Sequence, residues 1–141
     1  MQHEILYQPS YSLVRVVLEE GEAIMAEAGA MVSMSPTIKL DAKMSGGGLF
    51  GAIKSKIGGE SMFRSTFTAE SGRGEVTFAP GATGDIMAIE LEGNKVFVQP
   101  GSYMAGPADL NISVQGSLKG MLSGEGLFLL TVEGTGPLFV S

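Results

Sequence analysis

Apolar and polar residues alternate with a period of two along several stretches of the chain. In the clearest stretch, residues 38–44, lysine and aspartate separate isoleucine, leucine, alanine and methionine. This period is typical of a strand with one buried face, so Ile38, Leu40 and the two apolar residues after them are predicted to face the core. Other apolar runs indicate strands at 13–18, 23–26, 31–34, 61–68, 75–79, 86–91, 96–99, 110–115, 127–132 and 138–140.

Glycine-rich turns separate the predicted strands at a spacing typical of sandwiches and barrels. Three hairpins are predicted: 62–79, 86–99 and 127–140, with turns centred on the glycines at 72–74, 93 and 134–136. Apart from 49–57, no window has a helical period that extends far enough to indicate a helix. The residues therefore predict an all-β sandwich or barrel.

The two halves of the chain share an arrangement of strands and glycines. Residues 24–31 align with 96–103, since both have alternating apolar residues followed by a glycine, and a Gly-Glu pair recurs further along at Glu60 and Glu125. One interpretation is turn chemistry that recurs because the fold recurs. The other is that Glu60 and Glu125 form a matched acidic pair at a pseudo-symmetric site.

Length and composition fit one domain with little charge on its surface. The 141 residues predict a single domain, with two similar halves at approximately 13–81 and 86–141. Hydrophobic residues make up 44% and charged residues 17%, below the usual charged share of about 25%. Low charge and an unfinished sheet edge near the C-terminus favour self-association, so a homo-oligomer is expected.

The most unusual segment is the glycine-rich stretch at 46–60. Gly46, Gly48 and Gly51 match the G-x-G-x-x-G pattern of dinucleotide-binding loops, and Glu70 follows at a suitable distance. That motif needs a preceding parallel strand and a full helix after it. Here at most two helical turns follow before the glycines at 58–59, and hairpins come next. Nucleotide binding is therefore not predicted.

The same segment contains a short amphipathic stretch. If 49–57 is helical, its leucine and two isoleucines share one face, the phenylalanine lies beside it, and the lysines lean away. One hypothesis is contact with a membrane or a protein partner. The alternative is that the stretch caps the open end of the barrel or fills an oligomer interface. The candidate contact residues are Leu49, Phe50, Ile53, Lys54, Lys56 and Ile57.

Charge and residue usage exclude several classes of function. The net charge of −6 and the pI near 4.7 oppose binding to phosphate backbones, so no nucleic-acid partner is expected. The chain has no cysteine, and its one histidine is His3, near an end expected to fray. A serine triad would need His3 as its base. We therefore predict no enzyme activity, no catalytic residues and no cofactor.

No metal site is predicted either. A site made only of carboxylates could draw on Glu60, Glu70, Glu75 or Asp85, but scattered surface acids are the commoner case. The N-terminus lacks the pattern of a signal peptide, and no apolar run has the length of a transmembrane helix. These features predict a cytoplasmic protein, with peripheral membrane contact as a variant.

The order of several short blocks resembles the AIM24 family, formerly a domain of unknown function. The resemblance runs from about residue 4 to the end of the chain. The blocks are Glu27-Ala28-Gly29-Ala30-Met31, Gly46-Gly47-Gly48-Leu49-Phe50-Gly51, Gly58-Gly59-Glu60-Ser61-Met62-Phe63, Gly72-Arg73-Gly74-Glu75-Val76, Pro80-Gly81 and Gly84-Asp85-Ile86.

This resemblance implies a double-stranded β-helix of the kind grouped with the tryptophan RNA-binding attenuation protein. Fungal mitochondrial members are linked to the organisation of the inner membrane, and the family brings no catalytic motif. A double-stranded β-helix also suggests cupins, but metal-dependent cupins use several histidines, and this chain has one. Family members usually continue past the position of Ser141, so the chain is expected to be either a truncated product or a short member.

RNA binding is not carried over from the attenuation protein. The nine lysines and arginines are dispersed along the chain, tryptophan is absent, and the net charge is negative. The predicted function is a non-enzymatic scaffold or interaction module for proteins or a membrane surface. The alternative is a module that binds a small ligand in the mouth of the barrel.

Overall fold

The described residues are almost entirely β-structure. The computed structural model describes residues 1–43, 64–115 and 129–141. Besides its strands, this part of the chain has one 3₁₀ turn, Pro100–Ser102. The strands are β1 Gln2–Leu6, β2 Leu13–Leu18, β3 Ala23–Glu27, β4 Met31–Met34, β5 Ile38–Lys43, β6 Arg64–Ala69, β7 Gly74–Phe78, β8 Met87–Val98, β9 Tyr103–Pro107, β10 Asn111–Gln115 and β11 Leu129–Val140.

A first antiparallel sheet has the order β1-β2-β7-β4. Strand β2 shows how the sequence forms it, because Val14, Val16 and Leu18 are fully buried while Arg15 between them is exposed. On the outer face Arg15 donates to Glu4 of β1 at 2.8 Å. The alternation therefore separates a core face from a solvated face, as the sequence predicts.

A second sheet has the order β10-β11-β9-β3-β6-β5, with β8 added beside β11. Strand β11 changes partners along its length. Residues 129–133 pair with β10, Phe139 and Val140 pair with β9, and β8 follows the opposite edge of β11 throughout. The two curled sheets form a half-barrel, and the predicted all-β, barrel-like sandwich is confirmed.

The first hydrophobic core lies between the two sheets. Phe67 of β6 and Phe78 of β7 meet there edge to face, with ring centroids 5.3 Å apart. Fully burying one such side chain contributes about 1.5–3 kcal/mol to folding. The buried members of this core are Val14, Val16, Leu18, Ile24, Ala26, Ala30, Ile38, Phe67, Ala69, Val76, Phe78, Ile86, Met104, Ala105 and Phe139.

A second core lies on the opposite face of β9. Ala105 belongs to the first core, while a Cβ on the next residue, Gly106, would lie 2.8 Å from Leu110 of the second. Gly134 of β11 also approaches Leu110, since a Cβ there would lie 2.7 Å from its Cδ2. Only glycine fits both positions without displacing Leu110. The buried members of this core are Leu91, Val98, Tyr103, Leu110, Leu130, Val132 and Leu138.

Two of the predicted hairpins are wrong. Residues 86–99 and 127–140 do not fold back on themselves; each contains one continuous strand, β8 and β11, and these pair with each other. The predicted turn glycines mark a β-bulge instead, where Gly93 and Asn94 lie opposite Gly134. Gly93 and Gly134 both have positive φ, at 81° and 144°. A glycine with positive φ suits a bulge as well as a tight turn, so the sequence signal is the same.

The hairpin predicted at 62–79 is also wrong. Strand β6 pairs with β3 and β5 in the second sheet, whereas β7 pairs with β2 and β4 in the first. The connection at Gly72 therefore crosses between sheets. It is held by Thr37, whose carbonyl accepts from Glu70 N at 3.1 Å.

The predicted core face of residues 38–44 is correct only at its start. Ile38 is 6% exposed, but Leu40 is 41% exposed and Ala42 is also exposed. Within the described residues β5 pairs only with β6, so it is an outer strand. The division into two similar halves and the relationship to the attenuation protein stay predictions.

Candidate functional site

The predicted contact segment cannot be placed. Leu49, Phe50, Ile53, Lys54, Lys56 and Ile57 all lie outside the described residues, as do Glu60 and Glu125. Where the structure is described, no helix has the length and apolar composition needed to span a membrane.

The remaining candidate residues lie far from one another. Glu70 faces Lys39 at 3.5 Å on an exposed surface, and Glu75 accepts no side-chain ligand set. His3 packs edge to face on Phe139, with ring centroids 5.0 Å apart. Within 1–43, 64–115 and 129–141, no three acidic or histidine side chains are grouped as metal ligands.

Asp85 does have a specific environment, which we call the Asp85 clasp. Its Oδ1 accepts from Ser12 Oγ at 2.6 Å, from Gln8 Nε2 at 3.0 Å and from Ile86 N at 2.8 Å. The bond from Ser12, and then those from Gln8 and Ile86, lower the pKa of Asp85 below its ordinary value of 3.8. The clasp ties the loop after β1 to the segment before β8. Its chemistry is that of a structural carboxylate.

The clasped loop displays two tyrosines to solvent. Tyr7 is 71% exposed and Tyr11 is 74% exposed. Tyr7 also has a φ of 61°, in the left-handed region that non-glycine residues seldom adopt. Because the Tyr7 ring is exposed, burial does not compensate for this backbone cost. The hydrogen bonds of Gln8 and Ser12 to Asp85 hold the loop in place.

An acidic groove of about 510 Å³ lies beside the start of β3. The Met1 ammonium reaches Glu22 Oε1 at 3.2 Å, and Glu19 N donates to Glu22 Oε2 at 2.8 Å. The backbone bond from Glu19 is the main reason that the pKa of Glu22 is lowered. The groove is lined by Met1, Gly21, Glu22, Ala23, Glu90, Pro107, Ala108, Asp109, Thr135, Gly136 and Pro137.

A buried cation lies at the start of β6. Arg64 is 7% exposed, and its Nε forms no hydrogen bond in the part of the chain that the structure describes. Burial lowers the pKa of Arg64, and burial likewise raises the pKa of Tyr103 above its ordinary value. The Tyr103 hydroxyl donates to Met25 O at 3.0 Å. The pair therefore has a structural role on the described contacts.

Large apolar side chains are exposed on the outer strands. Val32 of β4 is 59% exposed, Leu40 of β5 is 41% exposed, and Met87 and Phe97 of β8 are 61% and 58% exposed. Each of these strands has a described neighbour on one side only. The exposed apolar surface is thus concentrated where backbone groups are also available for pairing.

Comparison with known proteins decides the family. The sequence model of the AIM24 family, described as mitochondrial biogenesis AIM24, matches residues 3–141. The chain belongs to the AIM24 family. This confirms the resemblance inferred from the order of glycine blocks.

Two streptococcal proteins are similar to this AIM24-family chain. An uncharacterized protein of Streptococcus pyogenes serotype M6 is 34% identical over 140 residues, which cover 93% of this chain and 56% of that protein. A crystal structure of another S. pyogenes protein superposes with a TM-score of 0.75 at 30% identity, covering 99% of this chain and 63% of that one. The chain therefore spans little more than half the length of its curated relative.

Sequence analysis missed the clasp and the groove. The clasp joins residues on either side of a separation of more than 70 positions, and the groove draws on β3, β8, β9 and β11. Neither has a local motif. The exposure of apolar edge residues was foreseeable only as a general tendency, from the low charged fraction.

Proposed function

We propose that this AIM24-family domain is a non-catalytic scaffold that associates with copies of itself and presents a surface to a protein or membrane partner. The observation that carries the proposal is the exposure of large apolar side chains on the outer strands, above all Met87 and Phe97 of β8. Exposed apolar groups next to an unpaired sheet edge favour association by strand pairing.

The low charge of the chain supports the same function. Charged residues make up 17% of the sequence, and charge is one of the means by which natural proteins keep sheet edges apart. The cross-strand ion pairs that are present, such as Arg15 with Glu4, lie on the outer face of the first sheet, away from β8.

The chemistry of the Asp85 clasp supports a non-catalytic role. A carboxylate with a lowered pKa is a weak general base near neutral pH. Ser12 donates its hydroxyl proton toward Asp85, and its Oγ therefore lacks the neighbouring base that activates a serine nucleophile. The clasp residues are better suited to fixing a loop than to turnover.

Light scattering of the 141-residue chain at micromolar concentration tests self-association. The expected mass is a multiple of the 14.7 kDa chain mass. A constant mass of 14.7 kDa across the concentration range would contradict the proposal.

Contact with a membrane is tested separately through the amphipathic stretch predicted from sequence. In liposome flotation, the wild type is expected to float, and a variant with Leu49→Asp and Phe50→Asp is expected to stay at the bottom of the gradient. Equal flotation of the two proteins would remove the membrane from the proposal and leave protein partners.

The acidic groove favours a second candidate function, the binding of a small cation-bearing ligand. Its volume of about 510 Å³ falls within the usual range for ligand sites. Glu22, Glu90 and Asp109 supply carboxylates at its walls. Isothermal titration with spermidine is expected to show binding that Glu90→Gln with Asp109→Asn abolishes. Unchanged heats in that variant would reject the groove as the site.

A further inference from the structure

Strand β8 is the longest outer strand of the described fold. It pairs with β11 along one edge, and no strand in 1–43, 64–115 or 129–141 pairs with its other edge. It has 12 residues, whereas the outer strands β1, β4, β5 and β10 have 5, 4, 6 and 5. It contains no proline and carries one lysine. The usual protections of a sheet edge, namely shortness, proline and several lysines, are thus largely missing.

The bulge at Gly93 divides β8 into two arms whose side chains alternate in opposite phase. In the first arm Ile89 and Leu91 pack into the second core, and in the second arm Val96 and Val98 do so. Odd positions before the bulge therefore share a face with even positions after it. The other face carries Glu90 and Glu92 in the first arm, and Lys95 and Phe97 in the second.

We infer that β8 is a homodimer interface, at which a second copy of this chain adds its own β8 in antiparallel orientation about a two-fold axis between Gly93 and Asn94. In this register Glu92 of one copy faces Lys95 of the other, and the symmetry forms that pair twice. Leu91 faces Val96 in the same way. Opposite charges and apolar residues both meet their complements.

The phase change at the bulge selects this register. Shifting the pairing by one residue would place Leu91 opposite Lys95, on opposite faces of the pleat, and would lose the charge pairs. At the bend itself, Asn94 Oδ1 already accepts from Glu92 N at 2.7 Å, so the flanking arms supply the new hydrogen bonds. The half-buried side chains of Ile89 and Val96 would then continue the second core across the interface.

This inference rests on the self-association proposed above and adds its surface and register. Because the sequence has no cysteine, engineered thiols report contacts without background. Residues directly opposite in antiparallel strands have Cα atoms about 4.5–5.5 Å apart, within the range that a disulfide spans. An equimolar mixture of Glu92→Cys and Lys95→Cys is expected to form disulfide-linked dimers much faster than either variant alone. A Glu90→Cys and Lys95→Cys mixture is the register-shifted control, and equal rates in both mixtures would overturn the inference.

A second measurement separates failure of this interface from failure of self-association. In sedimentation equilibrium, Phe97→Asp on β8 is expected to raise the dimer dissociation constant by about tenfold or more. Val32→Asp, at a residue of similar exposure on β4, is the matched control and is expected to leave it unchanged. A monomeric wild type would overturn both proposals. Association that is equally strong in the wild type and Phe97→Asp, without the specific crosslink, would overturn only the β8 interface.

Discussion

Single residues in the Asp85 clasp fix the loop that carries the exposed tyrosines. Ser12 is 3% exposed, its amide donates to Gly84 O at 3.1 Å and its hydroxyl donates to Asp85. Replacing Ser12 by alanine removes one hydrogen bond to a charged acceptor, for which we expect a loss of about 1.5 kcal/mol in the free energy of unfolding. Urea denaturation measures it. The exposed neighbour Ser10→Ala is the control, and an equal loss in both variants would contradict the clasp.

The charge of Asp85 predicts a pH dependence with a defined sign. Its folded pKa is lowered, chiefly by Ser12, so the ionised form stabilises the fold above its ordinary pKa of 3.8, and the contribution disappears as pH falls through the folded value. We expect Asp85→Asn to unfold at lower urea than the wild type at pH 7. The difference should close as the pH falls below 3.8. A difference that grows with acidity would contradict this assignment.

Tyr7 offers a test of backbone strain at the same loop. With a φ of 61°, it occupies a region that costs a non-glycine residue about 1–2 kcal/mol, while glycine enters it freely. Tyr7→Gly is therefore expected to be more stable than Tyr11→Gly by about 1 kcal/mol, because Tyr11 has no positive φ. Both rings are exposed to a similar extent, so lost contacts largely cancel. Equal stabilities in urea would argue against strain at Tyr7.

At the scale of strands, periodicity predicted the short strands well and the connections poorly. The runs at 13–18 and 31–34 form β2 and β4 with the predicted bounds. The pattern could not distinguish a glycine that turns the chain from one that bulges it, which is why β8 and β11 were each predicted as a hairpin. Nor could it show that the chain changes sheets after β6, since sheet assignment depends on contacts distant in sequence.

The bulge in β11 gives a prediction at this scale. A Cβ at Gly134 would lie 2.7 Å from Leu110 Cδ2, and its φ is 144°. Gly134→Ala is expected to lose about 2–3 kcal/mol of stability, from overpacking together with backbone strain. Gly93, across the bulge, has a φ of 81° and open space around it, so Gly93→Ala should lose only about 1 kcal/mol. Urea denaturation compares them, and equal losses would contradict the close packing of Leu110.

At the scale of the whole molecule, the two cores lie on opposite faces of the strand β9, and the second core ends at β8. The family and fold class were predictable, because the order of glycine blocks and the period of two are both local properties of the sequence. The candidate interface was not, since it depends on which strand is left at the edge of the sheet. That outcome follows from the pairing of β8 with β11.

Hydrogen exchange at two protein concentrations tests self-association through β8 most directly. The amides of β8 that do not bond to β11 are expected to exchange rapidly at low micromolar concentration and to become protected at high micromolar concentration. The amides on the free edge of β4 serve as the internal comparison and should stay unprotected at both. Protection of β8 that does not change with concentration, or equal protection of β8 and β4, would contradict the account.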